Sequence, residues 1–475
     1  MKIAIVSSEA VPFSKTGGLA DVAGALFKVF SNMGEETYLF SPYYKKTKET
    51  FKDPVDKFDF SVEIDGKKVK GFANIFKLYD NGNAILIEQD EYFERDGLYG
   101  ERGVDYIDNA LRFGFFNKAV LETIILLDLK PDILHLNDWQ TGLLPLFIKD
   151  RGLKLKTLFT IHNLAYQGNF ESDYLEKLRI DPKYFTIDGV EFYGSLSFMK
   201  TGIVFADKIS TVSPTYAKEI LTKEFGERLE GILSTRKKDL IGILNGIDTD
   251  IWNPETDTFI YKNFNKQTLE LKEDNKIQFL NEIGLQNLEF PLFGMVSRLA
   301  SQKGVDILTE ALTKLLKENI NVVILGTGEK PLEEKLKTLS ELFPEKFKLF
   351  LTFDESLAHK IYASSDFFLM PSKYEPCGLG QMIALRYATL PIVHETGGLK
   401  DTVDNFSEIT GCGNGFSFEE YSGEELEKLT MYVINLFKNK DMMMKLKRVA
   451  MDCNFSWENS AKQYLKLYEE IRNEN

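Results

Sequence analysis

Lys15-Thr16-Gly17-Gly18-Leu19-Ala20-Asp21-Val22 is the run best suited to handling an anion. It follows an apolar stretch, 3–6, that reads as a strand, and it leads into 22–30, which reads as a helix. A strand ending in a glycine-rich turn before a helix brings unspent backbone N–H groups and the helix's positive end to one point. Lys15 adds a mobile cation there, so a phosphate or a developing negative charge would be stabilised. Thr396-Gly397-Gly398-Leu399-Lys400-Asp401-Thr402-Val403 repeats the theme late in the chain.

Four further runs carry chemistry. Arg298 and Lys303 lie in Ser297-Arg298-Leu299-Ala300-Ser301-Gln302-Lys303-Gly304, between a strand ending at 296 and a helix from about 305. A planar fork and a point charge together suit a diphosphate; taken alone, they serve equally as two solvated loop cations. Gly326-Thr327-Gly328 after the next strand favours phosphate. Glu375-Pro376-Cys377-Gly378-Leu379-Gly380-Gln381 also sits between a strand and a helix. Gly378 permits close backbone approach, and the helix start offers free N–H groups. Glu375 suits sugar hydroxyls or positive charge, or is an ordinary capping carboxylate. Cys377 reads as a small packed residue, since no base is in view to activate its thiol.

His162, in Thr160-Ile161-His162-Asn163, stands at a strand's carboxyl end and is one of only four histidines, with His135, His359 and His394. It is a ligand contact or a hydrogen-bonded structural residue. Asp138-Trp139 pairs an acid for hydroxyls with a ring for the C–H face of a sugar; the alternative is a helix-capping Asp beside a half-buried Trp. No His-x-x-x-His or Glu-x-x-His pairing occurs, which argues against a histidine metal site. Gly-x-Ser-x-Gly and the Walker pattern are absent, and Gly-x-Gly-x-x-Gly does not follow the first strand, which weakens a nicotinamide-dependent reading.

Positioning these groups requires strands that alternate with helices. The stretches 84–87, 133–136, 157–161 and 208–211 join 3–6 as buried strands, with amphipathic stretches such as 110–127 between them. That alternation predicts a parallel sheet covered on both faces. It restarts after Asn245-Gly246-Ile247-Asp248, with strands expected at 291–296, 321–325, 347–351, 367–370 and 391–394. The polar segment 253–275 reads as a linker or excursion. An amphipathic helix over 457–471 could pack back on the first domain. The fold class is therefore α/β: two doubly wound, Rossmann-like domains facing a deep cleft, one over 1–244 plus 457–475, the other over 245–456. The motif residues fall after predicted strands, where ligands of such sheets bind.

Composition agrees. A chain of 475 residues exceeds one ordinary core. Its 43% hydrophobic and 27% charged residues match a soluble globular protein. A net charge of −14 argues against nucleic acid and anionic membranes as partners, while leaving room for a local basic cleft. Cys377, Cys412 and Cys453 are scattered and odd in number, which argues against a disulfide framework or cysteine zinc site. No run approaches the roughly 18 apolar residues of a membrane span, and 1–6 is too short for a secretion signal. A reducing cytoplasm is expected.

Lys15–Val22 resembles the Lys-x-Gly-Gly-Leu-x-Asp signature of bacterial glycogen synthases and plant starch synthases. Glu9, His135-Leu136-Asn137-Asp138-Trp139, Thr160-Ile161-His162-Asn163, Asn245-Gly246-Ile247-Asp248, Ser297–Gly304, Glu375–Leu379 and Thr396–Val403 are similar to that family in the same order, over nearly the whole chain. The resemblance implies a B-type glycosyltransferase fold. It implies glucose transfer from ADP-glucose to the non-reducing-end 4-hydroxyl of an α-1,4-glucan with retention, without a metal and with ADP-glucose as substrate rather than cofactor. It also implies that Lys15, Arg298 and Lys303 neutralise the diphosphate and that Gly18 lets the backbone approach it. His162 and Glu375 would hold the donor glucose, Asn245 would lie near it, Asp138 and Asn163 would lie near the acceptor side, and Phe353 would stack on adenine. Glu9, Asp21, Cys377, Gly378, Leu379 and Thr396 complete the implied substrate-binding set. Gly380, His394 and Asn137 depart from the common Thr or Ser, Arg and His. A non-catalytic glucan-binding scaffold and a related transferase with another acceptor, such as a sucrose-type sugar, are the alternatives; the intact Lys15, His162, Arg298, Lys303 and Glu375 argue against the scaffold.

Overall fold

In the computed structural model, which describes residues 1–474, the chain forms two compact units. One comprises Met1–Ile243 and the segment from Trp457; the other is Leu244–Ser456.

The first unit is built on a nine-stranded sheet. Its strands are β1 (Lys2–Val6), β2 (Glu36–Pro42), β3 (Asp56–Ile64), β4 (Lys67–Tyr79), β5 (Gly82–Glu88), β6 (Ile133–Asn137), β7 (Thr157–Ile161), β8 (Lys208–Thr211) and β9 (Leu240–Gly242). They lie in the order β9-β8-β7-β6-β1-β2-β5-β4-β3. β6 and β7 are buried at every position, as central parallel strands covered on both faces must be. β3 and β4 form an antiparallel extension that the sequence reading left out. Their turn is Asp65-Gly66, both with positive φ, a pairing that suits a tight hairpin.

The helix α1 (Gly18–Asn32) begins four residues before the expected start at 22, so its N-terminus falls on the glycine pair. The stretch expected to be amphipathic, 110–127, forms α2 (Asn109–Leu126), which is buried on nearly all sides. It packs on β3 and on the helix Leu144–Asp150, and the unexpected hairpin covers the face that would otherwise meet water. Arg112 is fully buried there, with its guanidinium donating to the carbonyls of Tyr92 and Leu98 and to Asn109 Oδ1.

The C-terminal helix Trp457–Asn473 lays Trp457, Ala461, Tyr464, Tyr468 and Ile471 against this unit, at three- and four-residue spacing. Tyr468 meets Phe30 of α1 with ring centroids 5.6 Å apart. His135 joins three elements: Nδ1 lies 2.7 Å from Tyr468 Oη and Nε2 lies 2.6 Å from Thr160 Oγ1. Burial holds the His135 pKa down to about 3, so this link is neutral.

The second unit has a six-stranded, all-parallel sheet. Its strands are β10 (Leu292–Val296), β11 (Asn321–Leu325), β12 (Phe347–Phe350), β13 (Phe367–Met370), β14 (Leu390–His394) and β15 (Phe416–Phe418), in the order β12-β11-β10-β13-β14-β15. The segment 253–275 is anchored rather than free. Asp257 is buried and accepts from Tyr387 Oη at 2.5 Å, with His359 Nδ1 2.7 Å away. Trp252 stacks on His359 at 4.0 Å. A buried ionic group braces the base of the sheet: Asp366 at the start of β13 meets Lys276 at 2.8 Å and Lys447 at 3.0 Å. Among the described residues no helix is long and apolar enough to cross a membrane.

Candidate active site

In the first unit, β1 runs into Ser7-Ser8-Glu9. The Glu9 side chain folds back on the loop before α1. Its carboxylate accepts from Thr16 Oγ1 at 2.9 Å and from the Thr16 and Gly17 backbone N–H groups. Glu9 is 3% exposed, and burial pushes its pKa up against those hydrogen bonds. Glu9 therefore holds the glycine loop in shape; Lys15 and Gly18 stay at the surface. Lys15 Nζ lies 2.7 Å from Asp21 Oδ1. A Cβ added at Gly17 or Gly18 would meet nothing within 4 Å, so the start of α1 opens to an approaching group.

A second cluster forms where β6 and β7 end side by side. Asp138 takes φ +57, and its carboxylate accepts from the His162 N–H at 2.8 Å and from the Asn163 N–H. Burial, aided by the charge of Glu9, pushes the Asp138 pKa up to about 7, against those hydrogen bonds. His162 Nε2 lies 2.9 Å from Asn137 Oδ1, and desolvation holds the imidazole pKa down to about 3. Asn163 turns its own Oδ1 to the Ala165 N–H. Trp139 is half-buried. It packs among Phe113, Phe170 and Phe198, and a Cβ on Gly168 would come within 2.3 Å of its ring.

The Asp138 shift has a measurable consequence. Between the ordinary carboxylate value and about 7, the folded state keeps a proton that the unfolded chain has lost. Stability contributed at this residue therefore falls as pH rises through that window. Asp138→Asn should flatten the dependence of unfolding free energy on pH between 5 and 7, removing a slope worth on the order of 2–4 kcal/mol. An unchanged slope in chemical denaturation at these pH values would contradict the assignment.

In the second unit, the loop after β10 is held to the loop after β11. Leu299 N–H donates to Thr327 O at 2.9 Å, Glu329 N–H to Leu299 O at 2.7 Å, and Ser301 N–H to Glu329 Oε1 at 3.0 Å. Gly326 and Gly328 make this possible: a Cβ on either would come within about 2.1 Å of a carbonyl of that loop, Ser297 O or Leu299 O. Their freedom is spent on backbone packing. Gly304, at φ +74, lies so close to Pro371 O that a Cβ would sit 1.8 Å away. Lys373 N–H donates to Gln302 O at 2.9 Å. The loops after β10 and β13 are thus locked together.

That lock brings Lys303 to Glu375. Lys303 Nζ is 2.5 Å from Glu375 Oε2, and Ser372 Oγ donates to the same oxygen at 3.1 Å. Glu375 is 5% exposed, so the lone carboxylate is a buried, paired group rather than a surface cap. Arg298 is exposed on the same loop, with one contact to Gln302 Oε1 at 3.2 Å. Phe353 projects after β12 at 92% exposed.

Cys377 is buried with the Asn245 N–H at its sulfur, and burial pushes the thiol up to about 12, which matches a packed, unreactive residue. Asn245 Oδ1 is buried with no hydrogen-bond partner. Gly378 takes φ +73, and Gln381 Nε2 props its carbonyl at 3.1 Å. Leu379 is half-buried before the helix Gly380–Arg386, and Thr396 is buried before the helix Gly397–Thr402. The second glycine pair differs from the first. A Cβ on Gly397 would strike Glu375 O at 2.0 Å, and one on Gly398 would strike Cys377 O at 2.1 Å. These glycines seat the Glu375 loop and leave no opening like that at Gly17-Gly18. His394 sets both ring nitrogens on backbone carbonyls, Ser372 O at 2.8 Å and Glu419 O at 3.2 Å.

The sequence reading gave Gln381 no role and overlooked Ser372 and Tyr99, whose hydroxyl bonds Ser8 Oγ at 2.7 Å and also reaches Glu9. Tyr99 lies in no motif; Ser372 and Gln381 flank Glu375–Leu379 and were within reach. Among the described residues no group of three or more His, Cys, Asp or Glu side chains converges as a metal site.

Comparison with known proteins places these features in a lineage. Residues 2–235 match the starch synthase catalytic domain model, and 276–450 match the glycosyl transferases group 1 model. A glycogen synthase of Thermosipho africanus is 46% identical over 487 residues, covering 100% of this chain and 99% of that one. A glycogen synthase of Clostridium perfringens is 45% identical, with 99% and 98% covered. Among solved structures, the catalytic domain of starch synthase IV from Arabidopsis thaliana, bound to ADP and acarbose, superposes with a TM-score of 0.89 at 33% identity, covering 100% and 99%. With its two doubly wound units and near-complete matches to these relatives, the chain belongs to the glycogen synthase family.

Proposed function

We propose that the chain transfers glucose from ADP-glucose to the 4-hydroxyl at the non-reducing end of an α-1,4-glucan, with retention at the anomeric carbon. The observation that carries this reading is the Lys303 ammonium 2.5 Å from the buried Glu375, beside Arg298 on a loop locked in place by its neighbours. Breaking the bond between glucose and diphosphate leaves negative charge on ADP. Arg298, Lys303 and Lys15 are fixed or steered cations for that charge and lower the barrier without moving a proton. The anomeric carbon gains oxocarbenium character, which the carboxylate of Glu375 favours. The leaving phosphate oxygen takes the acceptor's proton as the new glycosidic bond forms on the same face of the sugar, so no separate base is required.

His162 and Asn245 hold the donor glucose in this reading; the unpartnered Asn245 Oδ1 is a ready acceptor for a sugar hydroxyl. Asp138 and Asn163 serve the acceptor side. ADP-glucose is consumed as a substrate, and no cofactor is assigned. The reaction runs in the cytoplasm, in keeping with three unpaired cysteines. ADP as the nucleotide is supported by the relative from Arabidopsis, whose structure holds ADP and acarbose.

The direct test is ADP release from ADP-glucose in the presence and absence of maltodextrin. Acceptor-dependent release with elongation of the dextrin is expected. Glucan binding without transfer from any nucleotide sugar would overturn the reading in favour of a scaffold. Phe353, nearly free of protein contact, supplies a narrower check. If it stacks on adenine, Phe353→Ala should weaken ADP binding about 5- to 20-fold by calorimetry, as loss of one stacking ring does. Unchanged affinity removes that role.

A further inference from the structure

We infer that Asn137 is a positioning residue that fixes the proton of His162 on Nε2, so that His162 meets its ligand with a bare, hydrogen-bond-accepting Nδ1. Asn137 is the last residue of β6 and is fully buried. Its Nδ2 faces two backbone carbonyls, Val6 O at 3.1 Å and His135 O at 3.3 Å. A carbonyl cannot donate, so the amide nitrogen must lie on that side and both of its hydrogens are spent there. The amide oxygen is then turned to His162 Nε2 at 2.9 Å. An acceptor at that distance requires a donor opposite it. The reverse tautomer would set two lone pairs face to face beside the fully buried Asn137 amide.

The acidic neighbour of His162 is engaged elsewhere. The Asp138 carboxylate takes the backbone N–H of His162 and of Asn163. The low basicity of the imidazole keeps it neutral at physiological pH, so a single ring proton must be allotted, and Asn137 allots it. The ligand chemistry follows. Nδ1 accepts, so it recognises a group that donates, such as a hydroxyl, and it disfavours a carbonyl or phosphate oxygen. This rests on the proposed function only in naming a glucose hydroxyl as that group.

The test reads the proton directly. The chain has only four histidines, so 15N-histidine labelling gives a spectrum assignable by single substitution. In the wild-type protein between pH 6 and 8, His162 should show Nε2 at the shift of a protonated nitrogen and Nδ1 at that of a bare one. A proton on Nδ1, or exchange between the two forms, overturns the inference whatever the activity. Asn137→Leu should give a mixed tautomer and raise the donor KM about tenfold, the scale of one polar contact. Asn137→Asp should retain the wild-type tautomer, because the buried acid, protonated on the oxygen that faces the Val6 and His135 carbonyls, still turns an accepting oxygen to Nε2. If the variants fold poorly, the wild-type spectrum still decides. A correct tautomer in a protein that transfers no glucose would leave this inference standing and overturn the functional reading instead.

Discussion

Lys303→Ala should lower turnover by about 10²–10⁴-fold at saturating donor while leaving the fold intact. The ammonium sits on a loop, 19% exposed, and its one ion pair is with Glu375. The pair has a functional logic. A charge that develops in the transition state is best met by a cation already in place, and the loop after β10 is tied to those after β11 and β13 by the four hydrogen bonds and three close glycine approaches described above. Removing Lys303 leaves the buried Glu375 carboxylate with Ser372 Oγ, a loss of about 1–3 kcal/mol in stability, readable as a modest fall in melting temperature. Glu375→Ala should cost turnover on a similar scale with a smaller stability penalty, since it leaves the more exposed ammonium rather than a buried anion. The double variant should be less impaired than the product of the two single effects, because each removes the other's partner. Steady-state kinetics with ADP-glucose and maltodextrin, paired with thermal melts, checks all three. A Lys303→Ala protein with near-wild-type kcat would sink the assignment.

Asp366→Ala should be the most damaging single change to the stability of the second unit, costing about 3–5 kcal/mol. It would strand two buried ammonium groups, Lys276 and Lys447, and orphan the Leu292 N–H, which now donates to Asp366 Oδ2 at 3.0 Å. Burial alone would push the Asp366 carboxyl up; the two ammonium groups and the hydrogen bonds outweigh it and hold the carboxyl well below the usual carboxylate range. A carboxyl lowered in the folded state stabilises above its unfolded value and loses that contribution as pH falls toward the folded one. The group therefore adds acid sensitivity to this unit. Lys276→Met/Asp366→Leu/Lys447→Met, which removes all three charges, should recover most of the loss and flatten the acid limb. Urea unfolding at pH 7 and at pH 3 to 4 measures both effects. A single variant within 1 kcal/mol of wild type would show that the cluster is not a stabilising unit.

Much of this was legible in short apolar runs. The strands at 157–161, 208–211, 321–325 and 367–370 have the bounds read from sequence, because parallel strands buried on both faces leave a plain signature. The edge hairpin β3–β4 was not read, although Asp65-Gly66 is a strong turn signal, because its strands alternate with charged residues and carry no long apolar run. The site was legible as a set of motifs and illegible as a set of roles. Gly17-Gly18 and Gly397-Gly398 are the same letters. One pair opens to an approaching group, and the other is filled by the backbone of residues 375–377. Only tertiary contact separates them. Glu9 reads as a ligand residue until its carboxylate is seen holding Thr16, and the polar segment 253–275 reads as a linker until Asp257 is found against His359, 102 residues away.

The docking of Trp457–Asn473 sets an order on biogenesis. Every strand of the first unit leaves the ribosome before the second unit is made, and the helix that covers Phe30 and His135 leaves only after it. The nascent amino-terminal sheet must therefore wait, with an apolar flank uncovered, while an entire downstream sheet is synthesised and folds. That interval exposes the flank to aggregation and makes it the natural point of capture by a chaperone. A chain stopped before Trp457 would leave the amino-terminal sheet unfinished.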